Sequence, residues 1–99
     1  MAAYIVSRVK ILNAEAMRRY MNEAPATVTA FGGRYLVRGN DVHALEGEWE
    51  HERMVIVEFS DKSSALAWYH SDIYRPLREL RQSSAATVIL LAEGVLAPV

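Results

Sequence analysis

The chain has no cysteine among its 99 residues. Disulfides, thiolate metal sites and cysteine nucleophiles are excluded with it. It also lacks a surplus of either charge: 11 basic and 12 acidic residues leave a net charge of −1. Nucleic-acid binding draws on a basic surplus arranged as a stripe, and is not expected here. Polybasic attachment to a membrane surface is not expected either. No apolar run reaches the ~18 residues needed to cross a bilayer. The segment MAAYIVSRVK lacks the basic stretch, apolar run and cleavage site of a signal peptide, so we expect a cytoplasmic protein. Glycines are scattered and match no phosphate-binding loop. His43, His51 and His70 show no metal-ligand spacing, so neither a metal site nor a cofactor is expected.

What the chain does have is apolar surface: 52% of its residues are hydrophobic. A domain of this length buries roughly two-thirds of its chain surface on folding, and one use for the surplus is burial against a second copy. We expect a single domain over residues 1–99. Residues 3–12, AYIVSRVKIL, alternate as a strand with Ile5, Ser7, Val9 and Ile11 on one face. Asn13 is a helix cap, and a helix over the following segment to Phe31 carries Met17, Tyr20, Met21 and Ala24 at helical spacing. Pro25 is expected to kink or restart that helix, and Gly32-Gly33 to end it. Residues 34–39 read as a strand, Gly39-Asn40-Asp41 as a turn, and 42–49 as the returning strand of a hairpin. Another strand follows over 54–59. Ser60 or Asp61 then caps a helix that breaks and recaps at Ser71-Asp72, ahead of Pro76, and residues 86–94 are the final strand.

This order approaches the split βαβ, ferredoxin-like pattern. MVIVEF and TVILLA are apolar on both strand faces. Helices can cover one face of such a sheet, so a second sheet packed across a homodimer is expected to cover the other.

Candidate chemistry concentrates in AWYHSDIYRPLRELR, residues 67–81. At helical spacing Ile73, Leu77 and Leu80 form a core stripe, while Tyr74, Arg78 and Arg81 form the stripe beside it. Tyr74 and Arg81 suit a cleft edge, where a hydroxyl donates a hydrogen bond and a guanidinium grips a carboxylate or enolate; the plain alternative is a solvated face. Ser71 reads as a cap or a hydrogen-bond donor, and His70 as a general base, but no third residue orients a Ser–His pair. Arg34 and Arg38 share a strand face opposite Glu46 and Glu48, which suggests cross-strand ion pairs or a polar pocket. Trp49, Trp68 and Tyr20 can wall an aromatic pocket or simply fill the core.

The segments YIVSRVKI, FGGRYLVRG, LEGEW, MVIVEF, AWYHSDIYRPLRELR and AEG occur in this order, and together they resemble the domain-of-unknown-function 1330 family of small bacterial proteins. The resemblance covers nearly the whole chain. It implies an α+β fold, a ferredoxin-like βαββαβ sandwich forming a dimeric α+β barrel. It brings no established activity. Arg34, Glu46, Trp49, Ser71, Tyr74 and Arg81 fall on its motif positions and are expected to line a ligand cleft between sheet and helices; His70 lies outside the pattern. The wider fold group includes cofactor-free monooxygenases, isomerase-like enzymes, haem enzymes and stress-response proteins. From residues and resemblance together, we expect a small carboxylate, enol or phenolic ligand, with proton-transfer or cofactor-free oxygenase chemistry. The alternative is a non-catalytic ligand-binding or stress-related homodimer, or a dimer whose polar residues only form ion pairs.

Overall fold

Alternation in the first segment carries directly into a computed structural model of the protein, which describes residues 1–50 and 52–95. Strand β1, Ala3–Ile11, buries Ala3, Ile5, Ser7 and Val9 on one face. The chain then forms α1 (Ala14–Ala30), β2 (Arg34–Gly39), β3 (Arg53–Phe59), α2 (Lys62–Tyr69), α3 (Arg75–Ser84) and β4 (Ala85–Glu93). The strands make one antiparallel sheet in the order β2-β3-β1-β4. All three helices contribute buried residues to the core on one face of it. This is the α+β, ferredoxin-like arrangement.

Helix ends follow local chemistry. Asn13 accepts from the Ala16 backbone N–H at 3.1 Å, and Asp61, rather than Ser60, accepts from that of Ser64 at 2.7 Å. Each side chain satisfies an amide that has no partner within its helix. Helix α1 closes with Gly32 N–H on the Thr29 carbonyl and Gly33 N–H on that of Val28. Gly32 sits at φ +75°, a left-handed position natural to glycine. Gly33 is needed for another reason: a Cβ there would come within 2.7 Å of the Phe59 ring and 2.8 Å of Val28.

Three expectations are corrected. Residues 42–49 form no strand; β2 instead pairs with β3 across a loop. The alternation in VHALEGEW suits a strand, but MVIVEF offers β2 a more continuously apolar partner. Pro25 does not restart α1, which runs as one helix through it. Finally, Ile73 is not core: it precedes α3 and is 52% exposed, and the buried residues of α3 are Leu77, Arg81 and Ser84. The buried stripe thus runs through Tyr74, Leu77 and Arg81.

The sheet face away from the helices has an apolar centre, beside the charged Arg8, Arg34 and Glu58. It carries Val6 and Ile56 with the exposed Val37, Val88 and Leu90.

Candidate functional site

Between the helix-facing side of the sheet and α1 and α3 lies a narrow cleft. Its walls include Ser7, Tyr20, Tyr35, Arg38, Arg53, Trp68, Tyr74 and Arg81 among apolar residues. It holds about 550 Å³ of space outside protein atoms, the open mouth included, but admits the centre of a water-sized sphere in only about 40 Å³. A water needs roughly 10–15 Å³ by that measure. A ligand must therefore be small, or displace the walls.

The closed end is built from aromatic packing. Trp68 donates from Nε1 to Thr27 Oγ1 at 3.0 Å, and that hydroxyl donates on to the Ala24 carbonyl at 2.7 Å. Fixed in this way, the indole packs against Tyr74 with ring centroids 4.1 Å apart, and against Phe59 at 5.6 Å. Tyr74 is fully buried. Its hydroxyl lies 2.6 Å from that of Tyr20 and receives a long, weak contact of 3.4 Å from Arg81 Nε.

Arg81 is 4% exposed. Its Nη2 is buried without a hydrogen-bond partner among the described residues, and no Asp or Glu there pairs with it. Thr87 Oγ1 is likewise buried and unpartnered. Arg81 and Thr87 also border a second opening beside edge strand β4. Burial pulls the guanidinium pKa down, but the neighbouring hydroxyls of Tyr74, Tyr20 and Tyr69 more than reverse this. Arg81 is a cation at every physiological pH. Burial, with Tyr74 adding to it, pushes the Tyr20 hydroxyl well above its ordinary pKa, so Tyr20 stays neutral.

At the mouth, two irregularities place Arg38. A bulge between Tyr35 and Val37 shifts the register, so that Tyr35 opposes Val57 and Arg38 opposes Val55. Both side chains consequently share the helix-facing side, while Arg34, opposite Glu58, points to the other. The second irregularity is Pro25. It has no N–H, which leaves the Met21 carbonyl, four residues earlier, without its helical partner. Arg38 Nη2 donates to that carbonyl at 2.6 Å. Its guanidinium also lies over the Tyr35 ring, 4.9 Å from the centroid. Nearby, burial and the Arg38 charge lower the Arg53 pKa. Burial raises that of Tyr35.

Of the six residues expected to line one cleft, the structure brings Tyr74 and Arg81 together there. It places the other four elsewhere. Arg34 is exposed on the opposite sheet face, paired with Glu58 at 2.8 Å. Glu46 is exposed in the loop after β2, because the hairpin that would have set it across from Arg34 does not form. Trp49 is half-buried in the same loop beside Arg8 and Glu52. Ser71 holds the α2–α3 break, donating to the Trp68 carbonyl at 2.7 Å and accepting from the Tyr74 N–H at 3.3 Å. Tyr20 and Trp68, singled out as aromatics, do wall the cleft, whereas Arg53 and the positioning of Arg38 escape sequence reading. The proline four residues after Met21 was the available signal for Arg38. His70 caps α2 and is exposed, and His51 lies outside the described residues. Arg78 donates to the Tyr69 carbonyl at 2.7 Å. Among the described residues, no three His, Asp or Glu side chains form a group that could hold a metal ion, and no helix is long and apolar enough to cross a membrane.

A family model, Domain of unknown function (DUF1330), matches residues 2–95. No curated protein matches the chain in sequence. Several solved structures share the fold. A protein of unknown function from Rhodopseudomonas palustris superposes with a TM-score of 0.78 at 16% identity, over 96% of this chain and 83% of its own. A dimeric ferredoxin-like protein of unknown function from Jannaschia sp. CCS1 gives 0.67 at 16% identity, over 95% and 100%. A candidate antibiotic biosynthesis monooxygenase from Caulobacter crescentus CB15 gives 0.66 at 17% identity, over 96% and 91%. Identities this low carry the fold and no more.

Proposed function

We propose that this chain, which belongs to the DUF1330 family, binds a small carboxylate, enolate or phenolate in the cleft that ends at Arg81. One observation carries the reading: Arg81 is 4% exposed, with an unpartnered Nη2 and no acidic partner among the described residues. A buried charge without a counter-charge costs several kcal/mol. An anion in the cleft would offset that cost with charge-assisted hydrogen bonds. Tyr74 and Tyr20 would then meet the ligand through their hydroxyls, and Trp68 and Tyr35 as aromatic walls. Arg34, Glu46, Trp49 and Ser71 have no part in this reading, since none of them lines the cleft.

The chemistry this arrangement suits is proton transfer. Two hydroxyls 2.6 Å apart beside a fixed cation can pass a proton to or from a bound enol while the cation stabilises the enolate. The monooxygenase-like neighbour keeps oxygenation of a phenolate or enolate within the same class of ligand. Thermal-shift screening of small carboxylates, phenols and enolisable acids tests the binding. A ligand is expected to raise the melting temperature of the wild type by several degrees and leave Arg81→Met unmoved. Equal shifts in both proteins, or none in either, would refute it. Exchange of solvent deuterium into a bound enolisable acid, lost in Tyr74→Phe, separates an enzyme from a binding protein.

The same reading includes a homodimer. Val37, Val88 and Leu90 leave an apolar face open on a sheet whose other side the helices cover, and the Jannaschia neighbour is described as dimeric. Light scattering at micromolar concentration is expected to report twice the chain mass, and Leu90→Lys to report one. A monomeric wild type would remove the dimer from the account.

A further inference from the structure

Seven of the nine arginines of this chain fall into two groups, with Arg18 and Arg78 in neither. Arg8, Arg19, Arg34 and Arg75 each hold a carboxylate at 2.7–3.1 Å on the surface. Arg38, Arg53 and Arg81 all line one cleft, and none of them forms an ion pair among the described residues. No Asp or Glu lines that cleft. In a chain with more acidic than basic residues, three cations gathered around one space without a counter-charge among the described residues ask for negative charge from a ligand.

The three are not in one place. Arg38 opposes Val55, Val55 opposes Ser7, and Ser7 opposes Ile89, so one row crosses the sheet from β2 to β4. At about 4.8 Å between strands this row spans roughly 14 Å of backbone. Arg38 stands at its β2 end, with Arg53 one row away, opposite Val9. Arg81 comes in over the β4 end, beside Thr87 and Ile89. Between them lie apolar side chains and aromatic faces. Arg38 is held at the mouth by the Met21 carbonyl through Nη2 alone, which leaves its other N–H groups for a ligand. Burial and the neighbouring Arg38 charge both disfavour the Arg53 cation. A carboxylate between the two arginines would offset this.

We infer that the ligand of this cleft is a short, flat dianion, a dicarboxylate or a carboxylate bearing a second acidic oxygen, with one charge on Arg81 and Tyr74 and the other between Arg38 and Arg53. This inference rests on the proposed anion site at Arg81 and extends it to the mouth. The small free volume of the cleft and its aromatic walls favour a slim, planar middle over a branched one. The position of two arginines at the opening also gives the ligand an orientation, since either end can lead but only one end reaches the hydroxyl pair.

Isothermal titration calorimetry with shape-matched acids tests it. Fumarate is compared with crotonate, and terephthalate with 4-methylbenzoate, on the wild type, Arg53→Gln, Arg38→Gln and Arg81→Met, each checked for folding by circular dichroism. The wild type is expected to bind the better-fitting diacid at least ten-fold more tightly than its monoacid partner. In Arg53→Gln or Arg38→Gln that ratio is expected to fall to within about two-fold, and Arg81→Met to lose both acids. Monoacid and diacid binding equally well to the wild type would overturn the dianion inference and leave the anion site standing. So would a diacid preference that survives both mouth substitutions, which would assign Arg38 and Arg53 to another partner, such as a carboxylate of a second copy. Failure of every acid to bind the wild type would overturn the anion site itself, and the dianion with it.

Discussion

Replacing Arg81 with methionine should make the ligand-free protein more stable. Methionine keeps an unbranched apolar stem of similar reach and discards the guanidinium. The native charge gains little from its surroundings: one contact of 3.4 Å from Nε to Tyr74, no acid, and an unpartnered Nη2. The Tyr74 hydroxyl is not orphaned by the change, because Tyr20 remains 2.6 Å away. Exchange of buried ionic groups for apolar ones of similar volume is often neutral or stabilising by about 1–4 kcal/mol. We expect a gain of about 1–3 kcal/mol for Arg81→Met on the same basis. In a chain of this size each kcal/mol is worth roughly 4–8 °C in melting temperature. The assay is urea and thermal denaturation without added carboxylate or phosphate, since a bound anion would stabilise the wild type selectively. A variant less stable than the wild type by 2 kcal/mol or more would show that the guanidinium is held by the fold itself, and the argument for an anion would lose its basis.

Other outcomes follow from particular contacts. Gly33→Ala puts a methyl group 2.7 Å from Phe59 and 2.8 Å from Val28, so a loss of about 1–3 kcal/mol is expected by chemical denaturation. Arg38→Met should cost about 0.5–1.5 kcal/mol in the wild type and close to nothing with Pro25→Ala, whose restored N–H serves the Met21 carbonyl; a double-mutant cycle with no coupling would reject the link between proline and arginine. The Asp61 pKa is lowered, first by the Ser64 backbone N–H it accepts. Its contribution is therefore full above the ordinary carboxylate range and is lost as pH falls through the lowered folded-state value. Asp61→Asn, which keeps the cap, should flatten that part of the acid stability profile.

Much of the fold could be read because local chemistry determines it. Asn13, Asp61 and Gly32 mark helix ends by hydrogen bonds that reach three to five residues along the chain, and the alternation of β1 has a single buried solution. The misreadings around β2 share a cause: each depended on pairing between distant segments. VHALEGEW alternates as a strand should, yet β2 takes β3, and with the hairpin goes the expected meeting of Arg34 and Glu46. The bulge after Tyr35 separates Arg34 from Arg38 although their spacing implies one face. Ile73 fell off the core stripe because the helix starts two residues after it. Tyr74 and Arg81 were legible as a pair because they lie on one short helical stretch. Arg53 joins them through sheet register, which nothing in its neighbourhood in sequence announces.

The central claim is that Arg81 waits for an anion, and side-chain NMR tests it at the atom concerned. In a ¹⁵N-labelled sample the Arg81 Nε resonance, assigned by its loss in Arg81→Met, is followed while benzoate is added. The account predicts a saturable shift of that resonance, with the surface arginines Arg19 and Arg75 unmoved. No shift at Arg81, or a weak drift shared by all arginines, would contradict it.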